Sequence, residues 1–323
     1  MMCDSDNGIS LENLSKFVVK RVLSDSPDRK LIFVEGSLEG HEGAAVLILE
    51  KKAFDEKTVR ALCSEESVLV KSFVNDLYST YECFPNTKVN GIKTTLIYPA
   101  TEKHIKKFER KTVHIIQETP EIYKNITLPY ILSETFSVQW VYNILEHKSE
   151  VEKIVFEDSD KDLGFILVPD LKWDGQTLES LYLQAVIHRR DIKSIRDLTT
   201  KHIPLLENIQ TQGIKAIEEK YGVLQSQLRI YVHYLPSYYH LHVHFTYLQY
   251  DAPGINTERA HLLSTVIQNI QLLPDYYQKA TIPYTLTEAD PLYETFCDKG
   301  LLKKSTVVQQ YPPTANHVSV DNN

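Results

Sequence analysis

Residues 240–244 read His-Leu-His-Val-His, and the alternation continues into Phe245. In a strand, successive side chains point to opposite faces. The stretch therefore predicts a strand with His240, His242 and His244 on one side and Leu241, Val243 and Phe245 on the other, the apolar side packing on a core. Residues 229–235 (RIYVHYL) alternate in the same way and predict a second strand paired with the first.

At 323 residues the chain is long for one core, so two domains are expected. In the first, residues 30–36 and 44–50 predict a hairpin, 54–63 a helix, 68–84 and 93–100 strands, and 101–111 a helix capped by Thr101. Residues 112–132 hold Pro120 and Pro129 and no sustained period; they are read as an irregular hinge between domains at 1–111 and 133–303. Past the hinge come a helix at 133–148 capped by Ser133, a hairpin at 153–171 turning on DSDKD, and a strand at 180–188. A long helix from Thr199 to about Tyr221, closed by Gly222, precedes the histidine strands, and a helix at 258–270 follows them. The polar tail, 304–323, is expected to be disordered. The fold class is α+β: a small mixed α/β unit, then an α+β domain on an antiparallel sheet.

A net charge of −8 argues against bulk nucleic-acid binding, which needs a basic face, but allows a short phosphate-bearing ligand held by local Lys or Arg. Cys3, Cys63, Cys83 and Cys297 show no paired spacing, hence neither a disulfide framework nor a zinc ribbon. The N-terminus is acidic, and the longest aliphatic run, residues 44–49, is too short to span a bilayer. The expectation is a soluble intracellular protein.

Three readings of the alternating histidines compete. They form a polar stripe facing water, a metal site, or a centre for phosphoryl or nucleotidyl transfer. A metal would require the outer pair to converge across about 13 Å of strand on bonds of about 2 Å, and no Cys, Asp or Glu stands beside the motif. Phosphoryl chemistry uses all three rings. A neutral imidazole attacks phosphorus while protonated neighbours steady the developing charge, and histidine alone serves both parts near neutral pH.

HLHVHF matches the histidine-triad signature, His-φ-His-φ-His-φ-φ with φ apolar, except that Thr246 holds the last place. The longer VHYLPSYYHLHVHF, with FVNDLYSTY, KTTLIYPATEKH, VQWVYNILEHK, VPDLKW, HRRDIKSIRDLT and APGINTERAHLL, resembles the scavenger mRNA decapping enzymes over most of residues 10–300. That family cleaves the triphosphate bridge of cap dinucleotides or short capped oligonucleotides and releases 7-methylguanosine monophosphate, with no metal or other cofactor implied. The resemblance implies a C-terminal histidine-triad (HIT) domain under an N-terminal lid. His242 would be the nucleophile, forming a covalent nucleotidyl-histidine. His240 and His244 would contact phosphate oxygens or handle the leaving-group proton, and His233, on the neighbouring strand, would complete the cluster. Ser237, Tyr238 and Arg259 resemble phosphate contacts.

Methylation at N7 makes guanine a cation with a π face, for which an aromatic plate and a carboxylate are the fitting partners. Trp140 and Glu150 match the family's stacking tryptophan and base-edge acid, and Pro169, Asp170, Leu171 and Lys172 match the opposite wall; Trp173 is expected to be structural. Asn75 and Tyr78 resemble residues that reach the ligand when the lid closes. Lys103 and Lys107, four apart on one helix face, are candidates for meeting the phosphates, as are Tyr182 and the basic run 189–196. The family also implies a homodimer with exchanged N-terminal elements, a 5′–3′ exonuclease as partner, and a cytoplasmic location, with the nucleus as a second one. A general dinucleoside polyphosphate or phosphoramidate hydrolase shares the triad but not the Trp140–Glu150 arrangement. A non-catalytic cap-binding or exonuclease-assisting protein would bind the cap without cleaving it.

Overall fold

β1 (Phe17–Ser26), β2 (Leu31–Leu38), β3 (Ala44–Lys51) and a later strand, β6 (Ile92–Ala100), form an antiparallel sheet in the order β1-β2-β3-β6. The computed structural model describes residues 11–133 and 138–304. The chain divides into two units, Met1–Lys111 and Thr112–Asn323. In the first, Phe17, Val34, Leu38, Ala45 and Leu47 make one small core, and Leu23, Val46 and Ile105 another. α1 (Glu56–Leu62) begins at Asp55, whose carboxylate accepts from the Thr58 N–H at 2.6 Å. α2 (Glu102–Phe108) begins at Thr101, whose N–H donates to His104 Nδ1 at 3.1 Å.

Residues 68–84, read from the sequence as one strand, are a hairpin of β4 (Val68–Asn75) and β5 (Tyr78–Phe84). The turn is Asp76–Leu77, with Asp76 at φ 49°, a left-handed conformation that Asp tolerates. No glycine or proline marks it, and strand-like composition continues on both sides. Every residue of both strands is exposed.

The second unit opens with a correction. Residues 112–132 are not irregular: β7 (Val113–Glu118) pairs with a late strand, β14 (Ile282–Thr287). A helical run follows, α3 (Pro120–Ile122), a π turn (Tyr123–Thr127) and α4 (Leu128–Ser133). Pro120 starts this helix rather than breaking a chain, because the first turn needs no N–H from it. Ser133 is the last residue of α4, and its Oγ donates to the Tyr130 carbonyl at 2.8 Å, so it does not cap the next helix. That helix, α5, is Gln139–Leu145.

The main sheet holds β8 (Phe156–Glu157), β9 (Phe165–Pro169), β10 (Tyr182–Ile187), β11 (Leu228–His233), β12 (His242–Tyr247) and β13 (Ala260–Leu262). Their order is β13-β11-β12-β10-β9-β8, antiparallel throughout. β13 takes the start of the segment expected to be helical, and α7 (Leu263–Leu272) takes the rest. α6 (Ile203–Tyr221) ends at Gly222, whose φ of 69° closes it. Its buried Leu205, Leu206, Ile209 and Ile217 share one core with Leu241, Val243 and Phe245 of the histidine segment. α8 (Tyr276–Lys279) and α9 (Pro291–Asp298), like β1 and β14, were not anticipated. Of the tail expected to be disordered, residues 305–323 lie outside the described residues. No helix among the described residues is long and apolar enough to cross a membrane.

Candidate active site

β12 lies between β11 and β10, so its polar face is flanked on both sides: Tyr231 stands opposite His244 on one neighbour, Gln184 opposite His244 and Val186 opposite His242 on the other. Central strands hold side chains in fixed register, and here that register gathers three imidazoles. The ring centroids of His233 and His244 are 4.2 Å apart, and those of His242 and His244 4.8 Å. Tyr231 stacks on His244 at 5.1 Å, and Tyr238 stacks on His242 at 3.9 Å with 12° between planes.

His240 is not part of this cluster. The strand begins only at His242, so alternation does not extend back to it. Its Nε2 meets the Ile187 carbonyl at 2.8 Å and its ring lies edge-on to Tyr142. What His240 offers the cluster is its carbonyl oxygen, 2.7 Å from His242 Nδ1. A carbonyl can only accept, so Nδ1 carries the proton and Nε2 carries the lone pair. His242 Nε2 is buried and has no hydrogen-bond partner among the described residues. His244 Nε2 is in the same condition, while His244 Nδ1 is 3.0 Å from the Tyr182 hydroxyl. His233 Nε2 lies 3.0 Å from the Gly254 carbonyl, to which it donates.

Burial keeps these rings neutral. It pulls His242 down to about 4, against the pull of the His240 carbonyl, and His233 down to about 3, aided by the nearby Arg259 and His242. His244 is held well below the usual range by burial and by its neighbours His242, His233, Lys172 and Arg259. Lys172 and Arg259 are the basic side chains that line the cleft beside these neutral histidines, which were expected to carry charge. Arg259 Nε is buried without a hydrogen-bond partner among the described residues. Among those residues, no three His, Cys, Asp or Glu are placed to hold a metal ion.

A cleft of about 320 Å³ runs from this centre to an aromatic end. Its lining includes Lys172, His233, Ser237, His244, Gly254 and Arg259 together with Trp140, Glu150, Pro169, Asp170, Leu171, Tyr182 and Tyr238. Trp140, on α5, is 42% exposed and meets Tyr238 edge-on at 4.8 Å. Leu171 projects from the loop after β9, 81% exposed. Glu150 sits at φ 57°, a strained conformation for a non-glycine residue, and is 3.5 Å from Lys153 Nζ. Asp170 is buried and accepts from the Lys172 N–H at 2.8 Å and from Gln184 Nε2. Trp173 is buried, its indole N–H donating to the Thr177 carbonyl at 2.8 Å.

Most of the residues picked from the sequence thus meet in one cleft of the second unit. His242 lies beneath it rather than on its wall, screened by Tyr238. Asn75, Tyr78, Lys103 and Lys107 belong to the first unit. Asn75 and Tyr78 face each other across the hairpin turn, and Lys107 lies exposed on α2. Two participants went unnoticed in the sequence. Gln184 links Asp170 to Tyr238, whose hydroxyl donates to Gln184 Oε1 at 2.8 Å, and Tyr231 floors His244. Gln184 left a signal, as the one polar residue in the apolar YLQAVI, but only the strand pairing shows that it faces the histidines.

Two family models match the chain. The one for the scavenger mRNA decapping enzyme (DcpS) N-terminal region covers residues 12–111, and the one for the scavenger mRNA decapping enzyme C-terminal binding region covers 139–260. Among curated proteins, the m7GpppX diphosphatase of Bos taurus is 50% identical over 283 residues, 86% of this chain and 84% of that protein. The m7GpppX diphosphatase of Ascaris suum is 48% identical over 287 residues, 88% and 94% of the two chains. That of Schizosaccharomyces pombe is 37% identical over 303 residues, 90% and 97%.

Proposed function

The chain belongs to the scavenger mRNA decapping enzyme family, and from that premise we propose that its cleft is an m7GpppX diphosphatase site in which His242 is the nucleophile. The protein is a hydrolase of the cap's triphosphate bridge, acting in mRNA decapping. The methylated guanine lies between Trp140 and Leu171, where a cationic base gains from an aromatic face. Glu150, which lines the same cleft, accepts from the N–H donors of the base. Lys172 and Arg259 hold the phosphates.

His242 Nε2 attacks the phosphorus nearest 7-methylguanosine. The bond from that phosphorus to the bridging oxygen breaks, and the electron pair leaves with the nucleoside diphosphate. The ring, now bonded through Nε2 and still protonated at Nδ1, is cationic. Its hydrogen bond to the His240 carbonyl strengthens at that moment, so the carbonyl favours the intermediate over the resting ring. Water then adds to phosphorus, the P–N bond breaks, and 7-methylguanosine monophosphate departs. Because Nε2 is buried, its surroundings must open to admit the phosphorus before attack.

The observation that carries the reading is the buried, unpartnered Nε2 of a ring whose other nitrogen is fixed as a donor. His242→Asn should retain affinity for 7-methylguanosine monophosphate and lose cap dinucleotide hydrolysis by several orders of magnitude. Acid quenching of the wild type with labelled cap dinucleotide should trap an acid-labile adduct at position 242; hydrolysis by the Asn variant would remove His242 from the role. The proposal extends to a homodimer. A two-stranded hairpin is at best marginally stable alone in water, yet β4, β5 and the turn between them expose Leu69, Phe73, Leu77, Tyr78 and Phe84. A second copy of the chain is the occupant that this surface fits.

A further inference from the structure

In the interior of the second unit the Glu118 carboxylate meets the Arg196 guanidinium at 2.6 Å, with the two side chains 0% and 1% exposed. Removing water from both charges offsets most of their attraction, so such a pair does little for stability. What it fixes is geometry. Arg196 also donates to the carbonyls of Tyr277 at 2.7 Å, Ala280 at 2.8 Å and Glu118 at 3.0 Å. The other Glu118 oxygen accepts from Thr127 Oγ1 at 2.5 Å. Gln278 Nε2 closes the far side by donating to the carbonyls of Arg196 and Leu198.

This cluster reaches the cleft through Tyr234. The buried Tyr234 hydroxyl donates to Glu118 Oε1 and accepts from Arg196 Nε at 3.3 Å. Tyr234 directly follows His233, and its own N–H donates to the Arg259 carbonyl at 2.9 Å. It is also the first residue of the segment 234–239, which carries Ser237 and Tyr238. One clamped phenol therefore anchors the backbone under a histidine, an arginine and two loop side chains of the cleft. At the base end Trp140 stands on α5 and Glu150 and Leu171 on separate loops, and Tyr238 is the member of the segment that touches it, edge-on to Trp140 at 4.8 Å.

We propose that Glu118 and Arg196 are positioning residues that act through Tyr234 to hold His233, Arg259 and the 234–239 segment in register for the attack by His242, with no part in recognising the base. The inference rests on reading the cleft as a cap hydrolase. A misplacement of about 1 Å at reacting groups can cost about a hundredfold in rate. The network therefore bears on turnover and leaves binding of the base alone.

Tyr234→Phe keeps the ring and removes the hydroxyl. Its melting temperature and its affinity for the phosphate-free nucleoside 7-methylguanosine should stay near wild type, while its single-turnover rate on the cap dinucleotide falls by about tenfold or more. The double variant Glu118→Met with Arg196→Met removes both charges together, a change that often leaves folding intact or improved, and should lose rate in the same direction. A folded Tyr234→Phe or double variant that cleaves at the wild-type rate overturns the proposal. So does a loss of 7-methylguanosine nucleoside affinity in step with rate, which marks a general structural defect. Wild-type protein that fails to cleave the cap dinucleotide is a different failure, that of the functional reading itself.

Discussion

At position 242 one ring nitrogen is tied to a carbonyl and the other is left bare, and both conditions follow from where β12 begins. The consequence for pH is specific. Protonation of His242 removes the lone pair proposed above as the nucleophile, and burial holds that event down to about 4. The acid limb of kcat/KM, which reports the free enzyme, should therefore have its midpoint near pH 4. A midpoint between about 6 and 7 would show the ring to be solvated and of ordinary basicity. Stability follows the same sign. His242 and His233 bind protons less readily folded than unfolded, so their neutral burial is fully accommodated above about pH 6.5 and opposes folding increasingly as pH falls toward 4 and then 3. The His242 contribution is on the order of 3 kcal/mol by pH 4, to be read from urea midpoints across that range. Residue identity alone placed His242 and His244 on one strand face but did not disclose the state of their neighbours. Alternation places Val243 and Phe245 in the core, where they are found, yet misplaces His240, whose ring belongs to a segment that is not yet strand.

Among the elements, α6 shows how closely the sheet's back is packed. A Cβ built on Gly213 would lie 2.5 Å from Cζ of Phe245, the core residue next to His244. In a helix interior, exchanging glycine for alanine usually gains about 1 kcal/mol. Here the sign reverses: Gly213→Ala should destabilise by roughly 1–3 kcal/mol, measured by urea unfolding, because the methyl group must push Phe245 and its strand aside. An unchanged or raised midpoint would mean that the ring swings away freely. Elements with strong local signals were legible, such as the β2–β3 hairpin, α1, α2 and α6 with its Gly222 stop. Those that depend on distant partners were not. β7 exists because β14 pairs with it from 170 residues further on, as in Ile115 opposite Thr285, and Pro120 beside it reads as a breaker until the helix it starts is seen. Gln184 joined the site for the same reason, through a cross-strand partner that spacing does not disclose.

On the scale of the whole molecule, the exposed apolar hairpin is the feature that motivates the proposed homodimer. Sedimentation equilibrium at micromolar concentration should give twice the chain mass, and Phe73→Ser combined with Leu77→Ser should shift the distribution toward one chain. A wild-type protein that stays monomeric at high concentration would leave the hairpin without its second copy. The two tryptophans, finally, divide the chain's fluorescence between different environments. Trp173 is fixed in the core by its bond to Thr177, whereas Trp140 stands 42% open at the aromatic mouth of the cleft. Light emitted by the first is a steady internal standard, and a positively charged purine lying flat on the second would dim it. The enzyme thus carries its own optical gauge of occupancy, with no dye or label attached.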